Sequence, residues 1–158
     1  DACLIIDQAQ QVAYRAINET LIKRNWLLGM RIQHEVLQDK RAEYGEQVVG
    51  RLADNLTGKY GKGFIKRNLW HFVDFYVKHP DFFQAVSGKS TIVNAPSSQS
   101  AWDGMMQSLT AKHPIRLSWT HYRIILQEMT AEGRAWYENE AAKEMWSTRT
   151  LQRNVSSQ

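Results

Sequence analysis

The chain has 158 residues, of which 43% are hydrophobic and 23% charged, the composition of an ordinary soluble globular protein that is long enough to bury a core. Its net charge of +4 indicates a mild preference for polyanions and excludes the strongly basic class of histone-like proteins. The single cysteine, Cys3, excludes an internal disulfide and a cysteine-based zinc site. The lack of a long apolar segment or a signal peptide predicts a cytoplasmic protein that does not associate with a membrane.

The first part of the chain predicts two helices. Residues 4–38 contain no proline and one glycine, and their apolar residues recur at helical spacing, which predicts one long N-terminal helix. Residues 41–59 predict a second helix, with an apolar residue at every fourth position from Tyr44 onward. Gly61 and Gly63 are expected to end it.

A third helix is predicted between Gly63 and Pro80, since the residue before a proline disfavours helical geometry. At about 100° per residue, its side chains separate into an apolar side and a polar, basic side. The apolar side is expected to be buried and consists of Ile65, Leu69, Phe72 and Tyr76.

The second half of the chain begins with a polar stretch. Residues 86–101 are small and polar, which predicts a flexible loop. Helices resume at three residues whose hydroxyl groups suit an N-cap: Ser118, Thr130 and Ser147. Because segments with strand periodicity are scarce, the sequence predicts an all-α fold and a single helical module over residues 1–158.

Two segments have the outline of a helix-turn-helix, residues 41–78 and residues 131–155. In each, a short turn joins two helices and basic residues open the second one. The exposed face of such a second helix can enter the major groove of DNA. Any antiparallel helix pair shares this outline, so the pattern indicates nucleic-acid binding only together with the charges.

Basic residues concentrate in the first of these segments. Residues 59–78 carry five Lys or Arg and one Asp, a surplus of four that equals the net charge of the whole chain. Cations at the start of a helix can meet phosphates beside unpaired backbone N–H groups, and an exposed tryptophan can stack on a base. The predicted nucleic-acid-binding residues are Lys62, Lys66, Arg67, Trp70 and His71, with a second patch at Arg149 and Arg153. The alternative is a solvated helix face, with Trp70 half covered by a neighbouring helix.

No catalytic or metal-binding residue is predicted. A PD-(D/E)XK nuclease site needs carboxylates for a metal ion and a lysine two residues after an acid, and no lysine here has that spacing. The "SGKS" of residues 87–90 lacks the first glycine of a phosphate-binding loop. His113 and His121 have no ligand partners at metal-binding spacing, so the ring of His121 is expected to bond a backbone group or to pack.

Three blocks of sequence, in the same order, resemble the N-terminal domain of the bacterial YhcG-like family: "NWLLGMRI", "RAEYGEQVVGRLADNLTGKYGKGFIKRNLWHFVDFY", and "LSWTHYRIIL" followed by "GRAWYENEAAKEMWSTRTLQR". The match covers most of the chain outside residues 81–116. The chain departs from the family pattern at Ile65, where serine is frequent, and at Thr150, where an acid would complete a capping box with Ser147. Each departure weakens a helix start by about 1 kcal/mol at most.

The resemblance implies a function for the chain. Full-length members of the family resemble nucleases that join this helical domain to a C-terminal PD-(D/E)XK domain, where a divalent metal is expected. The chain is therefore predicted to be a non-catalytic module without a cofactor of its own. It would bind nucleic acid, double-stranded DNA or else RNA, and position it for a nuclease domain beyond residue 158.

The long first helix supports an alternative from a different class. Ile5, Ala9 and Val12 align on one side, whereas Ile17 and Leu21 align on another. Two apolar faces indicate two neighbours, the domain's own core and a second subunit. The chain could on this basis be a protein-interaction or homodimerisation module without nucleic-acid contact.

Overall fold

The structure is a computed structural model that describes residues 1–35, 42–85, 99–111 and 114–157. Within these ranges the chain forms seven α-helices, one 3₁₀ turn and two short strands, which confirms the predicted all-α fold and its long N-terminal helix. Among these helices, none is both long enough and apolar enough to cross a bilayer. In chain order the elements are α1 (Ala2–Glu35), α2 (Ala42–Tyr60), the 3₁₀ turn (Lys62–Phe64), α3 (Lys66–Lys78), β1 (Phe83–Ala85), α4 (Gln99–Ser108), β2 (Leu109–Ala111), α5 (Trp119–Ile125), α6 (Ala131–Lys143) and α7 (Thr148–Ser156).

The last three helices begin where the sequence predicts, because each has a hydroxyl side chain at its N-cap. The Ser118 hydroxyl accepts a hydrogen bond from the backbone N–H of His121 at 3.4 Å, and the His121 ring bonds back to Ser118. The hydroxyl groups of Thr130 and Ser147 accept from the third residue of their own helices at 3.0 and 3.1 Å. Each of these bonds satisfies a backbone donor that the helix cannot satisfy itself.

The chain divides into two compact units, and the first consists of Asp1–Arg24 and Ile115–Gln158. The core of this unit includes Tyr122, Tyr137 and Leu151, which are at most 2% exposed. The Tyr137 hydroxyl donates to the carbonyl of Asn154 at 3.1 Å, which fastens α6 to α7. These buried contacts hold α5, α6 and α7 together.

The second unit, Asn25–Pro114, contains the last part of α1 together with α2, α3, α4 and both strands. Trp26 on α1 is 1% exposed, and its indole N–H donates to the carbonyl of His79 at 2.8 Å, just after α3 ends. Its ring also contacts the rings of Tyr76 and Phe83, at centroid distances of 5.2 and 5.6 Å. Helix α1 thus packs against the C-terminal half of α3.

Helix α3 has the predicted bounds, but its buried side is only partly as predicted. Leu69 and Phe72 are buried, whereas Ile65 is 42% exposed because it occupies the N-cap and precedes the first helical turn. Tyr76 is half-buried, since its hydroxyl bonds His34 at the edge of the unit. Val73 and Phe75, which the sequence analysis leaves out, complete the buried side.

Helix α4 and the two strands differ from the sequence prediction. Strand β1 pairs antiparallel with β2, with Phe83 opposite Ala111 and Ala85 opposite Leu109. Residues 99–101, assigned to a loop from their polar composition, open helix α4. The rest of that predicted loop, residues 86–98, lies outside the described residues.

Candidate nucleic-acid interface

The candidate interface is built on the turn between α2 and α3. Helix α2 ends at Tyr60, and Gly61 follows with a φ of 92°, a left-handed conformation that glycine adopts without steric cost. The N–H of Gly61 donates to the carbonyl of Thr57 at 2.9 Å and closes the helix end. The 3₁₀ turn then leads directly into α3, so the connection is short and hydrogen-bonded.

The start of α3 leaves backbone donors without a side-chain cap. Its N-cap is Ile65, whose hydrocarbon side chain cannot accept a hydrogen bond. The N–H of Asn68 donates to the carbonyl of Ile65 at 2.8 Å, and the Asn68 side chain donates to Gly63 at 3.1 Å. In the described part of the chain, no side chain caps the N–H groups of Lys66 and Arg67, which can bond water or an anion.

Three of the five predicted residues in this segment are exposed, namely Lys62, Lys66 and Arg67. All three come from the turn or the first turn of α3, so the fold brings their charges to one end of that helix. Trp70 and His71 are half-buried, and each therefore offers only part of its ring to a ligand. We name Lys62, Lys66 and Arg67 the basic turn.

One residue of the basic turn already has a partner. The ammonium group of Lys66 lies 2.9 Å from Oε1 of Glu46 on α2, and both side chains are largely exposed. Hydrogen bonding to Lys66, together with its charge, lowers the pKa of the Glu46 carboxyl below the usual range. A phosphate at Lys66 would have to compete with Glu46, whereas Lys62 and Arg67 have no ion-pair partner among the described residues.

Tyr60 is a candidate that the sequence analysis overlooks. It is 59% exposed at the end of α2, with the ammonium group of Lys59 5.1 Å from its ring centroid. The ring of Phe64 lies 5.9 Å away, in an edge-to-face arrangement. The alternation of basic, aromatic and glycine residues in "KYGKGF" is the signal that could have identified it, because such a surface offers both charge and stacking.

The second predicted patch lies on α7, in the other compact unit. Arg149 and Arg153 are exposed and four residues apart, hence on the same side of the helix. Leu151 between them is fully buried and anchors α7 in its unit. The two patches belong to different units and are described separately.

His121, one of the two histidines considered as metal ligands, has structural partners instead. The His121 ring bonds the Ser118 hydroxyl at 2.7 Å and the carbonyl of Trp146 at 2.8 Å, as expected for a structural residue. His113 and the "SGKS" of residues 87–90 lie outside the described residues. Among the residues with described positions, no group of three or more acidic, histidine or cysteine side chains is close enough to hold a metal ion.

Comparisons with known proteins support the resemblance seen in the sequence. The family model described as "DUF1016 N-terminal domain" matches residues 1–158. The curated protein "Putative nuclease YhcG" of Escherichia coli strain K12 is 31% identical over 160 residues, which covers 98% of this chain and 42% of that relative. No solved structure matches the chain. The chain belongs to the DUF1016 N-terminal domain family, and among its relatives is the protein named "Putative nuclease YhcG".

Proposed function

We propose that this chain is a non-catalytic module that binds double-stranded DNA through the basic turn and positions it for a nuclease domain. The observation that carries the proposal is the combination of three exposed cations with uncapped N–H groups at the start of α3. Phosphate oxygens accept hydrogen bonds from such N–H groups, and the helix dipole favours an anion at that end.

Each predicted residue has a part in this proposal. Lys62 and Arg67 contact backbone phosphates directly, and Lys66 joins them when a phosphate displaces Glu46. The exposed parts of Trp70 and His71 lie further along α3 and contact the sugar or a base edge. With α2 before it and α3 after it, the turn forms the helix-turn-helix arrangement.

Helices α6 and α7 form the second helix-turn-helix pair of the proposal. There Arg149 and Arg153 supply phosphate contacts from the exposed side of α7. Phosphate contacts of this kind fix the position of the duplex and carry no sequence preference of their own.

The proposal extends to the whole protein. The chain spans 42% of the YhcG relative, which is named as a nuclease, so the cutting chemistry is assigned to the remaining part of a protein of that size. That part would be the PD-(D/E)XK domain, with a divalent metal that stabilises the charge of the phosphoryl transition state.

A salt titration of DNA binding tests the proposal. The 158-residue chain and its Lys62→Ala/Arg67→Ala variant are each titrated with a mixed-sequence duplex of about 20 base pairs. The titration is repeated at a series of salt concentrations. Each lost phosphate contact lowers the slope of log affinity against log salt by about 0.9, so the double variant should lose about 1.8. The loss should be similar for unrelated sequences, and an RNA duplex shows whether DNA is preferred.

Two control variants separate a local site from overall charge. Arg116→Ala/Lys143→Ala removes the same charge at exposed positions of the other unit and should leave the slope nearly unchanged. Glu46→Gln releases Lys66 and should steepen the slope by up to about 0.9. Circular dichroism confirms that each variant is folded. If the Lys62/Arg67 variant matches the wild type in slope and affinity, the basic turn is a solvated surface and the proposal is wrong.

The alternative function, a protein-interaction module without nucleic-acid contact, predicts a different response. Association through apolar helix faces depends weakly on salt, whereas duplex binding weakens steeply as salt rises. The exposed apolar residues of α1 are the observation that favours such an interaction. They are compatible with DNA binding elsewhere in the chain.

A further inference from the structure

The first half of α1 exposes apolar side chains that a helix of a globular protein normally buries. Ile5 is 66% exposed, Val12 67% and Ile17 62%, and every residue from 1 to 17 is exposed. Sixteen helical residues, from Ala2 to Ile17, correspond to a length of about 24 Å. The described residues of the chain leave this length of helix uncovered.

The exposed apolar side chains form a seam. Ala2, Ile5, Ala9, Val12 and Ala16 follow one another at alternating spacings of three and four residues, the repeat that places side chains along one line of a helix. The next position in the repeat is a charged residue, which ends the line. Ile6, Ala13 and Ile17 flank the same line on one side. We name the set Ala2, Ile5, Ala9, Val12 and Ala16 the α1 seam.

The seam is complementary to itself when two copies run antiparallel. If Ala9 lies opposite Val12 of a second copy, the same register places Ile5 opposite Ala16 of that copy. The four inner layers then each pair a small side chain with a large branched one and are related by a two-fold axis, whereas Ala2 lies opposite Glu19 at each end. A second copy of this chain therefore presents a large side chain to each small side chain of the inner layers.

Charge favours the same arrangement. In this register residues 1–20 of the two helices overlap, and these residues carry Asp1 and Asp7 in their first half and Arg15 and Glu19 in their second half. The antiparallel register places Arg15 of one copy opposite Ile6 of the other, one position from Asp7, whereas a parallel pair in register places Asp7 beside Asp7 and Arg15 beside Arg15. Antiparallel helices also oppose their dipoles favourably.

The area reaches the minimum expected of a specific interface. Two seams of this length, with their flanking residues, remove on the order of 1,000 Å² from water, which reaches the lower end of the range for specific protein interfaces. We infer that the α1 seam pairs with the same seam of a second copy of this chain, antiparallel and about a two-fold axis between Ala9 and Val12. The chain is therefore a homodimer joined through α1.

Sedimentation analysis of the 158-residue chain tests the dimer. The wild type should sediment as a dimer at tens of micromolar, and Val12→Glu should raise the dimer dissociation constant by roughly 100-fold or more, because it places one carboxylate in each of the two central apolar layers. Leu4→Glu is the matched control, since Leu4 is 60% exposed on the same helix and lies outside the seam. A monomeric wild type would mean that another segment or another protein covers the seam, and would overturn the inference. Equal effects of the two substitutions would overturn it as well.

Disulfide trapping tests the register. In a Cys3→Ser background, one chain carries Ile5→Cys and another carries Ala16→Cys, and the two are mixed under mild oxidation. The antiparallel register brings these positions together, so the mixture should form a cross-linked heterodimer. Neither variant should cross-link on its own. In a dimer of two identical variants, the two equivalent cysteines are separated along the helix axis by eleven residues, about 16 Å, which is well beyond the reach of a disulfide. Efficient cross-linking of either chain alone would contradict the antiparallel pairing.

Discussion

At the residue scale, the position of α3 depends on a glycine outside the candidate interface. A Cβ atom at Gly29 of α1 would lie 1.9 Å from the carbonyl oxygen of Phe72 and 2.5 Å from its carbonyl carbon. Both of these are backbone atoms of α3 and cannot move aside alone. The two helices therefore approach so closely at this point that any side chain would separate them.

Gly29→Ala should accordingly destabilise the protein, although alanine is the better helix former. Overpacking of this kind costs typically about 1–3 kcal/mol in the free energy of unfolding, and contact with backbone atoms places the expected value in the upper part of that range. Gly50→Ala in the interior of α2 is the matched control. A Cβ at Gly50 would meet no atom of the described residues within 4 Å, so this substitution should stabilise by roughly 0.5–1 kcal/mol. Urea denaturation measures both, and a neutral Gly29→Ala would contradict the close approach.

At the element scale, α3 begins with the weakest cap among α3, α5, α6 and α7. Ile65 has the extended backbone conformation of an N-cap, with φ −58° and ψ 154°, but no group that accepts a hydrogen bond. The three later helices have a serine or threonine in the same place. An uncapped start costs stability, and it also leaves N–H groups available to a phosphate.

Two substitutions at Ile65 separate stability from binding. Ile65→Ser supplies the missing acceptor, a gain of about 1 kcal/mol that is offset in part by the apolar burial lost with the isoleucine, which is 42% exposed, so the protein should be stabilised by less than about 1 kcal/mol. Ile65→Asp should stabilise α3 comparably through its charge at the helix start, yet weaken duplex binding by repelling phosphate. Thermal unfolding and the duplex titration measure the two effects. If Ile65→Asp binds the duplex as tightly as the wild type does, phosphates do not approach the start of α3.

The elements that sequence predicts well are those with local signals. The starts of α5, α6 and α7 follow from single hydroxyl residues, and the end of α2 follows from Gly61. Helix α4 escaped prediction because it opens with polar residues and has a glycine, Gly104, in its interior, and the strands escaped it because they are three residues long and pair across more than twenty residues.

The candidate site, too, could be predicted only where its signals are local in the sequence. Its exposed cations could be predicted from the charge surplus, and their roles in binding stay a prediction. The Lys66–Glu46 ion pair could not be predicted, because it joins residues twenty positions apart on different helices. In α2, Val49 and Ala53 are fully buried. Each lies one position after a residue of the predicted apolar line, Val48 or Leu52, and those two residues are only half-buried. Periodicity identified the helix, and packing between helices decided which side is buried.

At the scale of the whole molecule, α1 is the one helix of the described residues that contributes to both compact units. Each unit has its own fully buried side chains. Leu69 and Phe75 are examples in Asn25–Pro114, and Ile125 and Leu151 are examples in the other unit. A residue buried within one unit stabilises that unit directly, so the two units are expected to open as separate cooperative segments.

Hydrogen exchange of two core variants tests this expectation. Leu69→Ala and Leu151→Ala each remove a side chain that is 0% exposed, and each should lower the free energy of unfolding of its own unit by roughly 2–5 kcal/mol. Leu69→Ala should accelerate amide exchange in α2 and α3 by at least about 30-fold with little change in α5 to α7, and Leu151→Ala should do the reverse. Within α1 the boundary should fall near Arg24, because exchange beyond it should respond to Leu69→Ala and exchange before it to Leu151→Ala. Equal acceleration across the chain in both variants would show instead that the protein unfolds as one cooperative unit, since a global opening exposes every amide at the same cost.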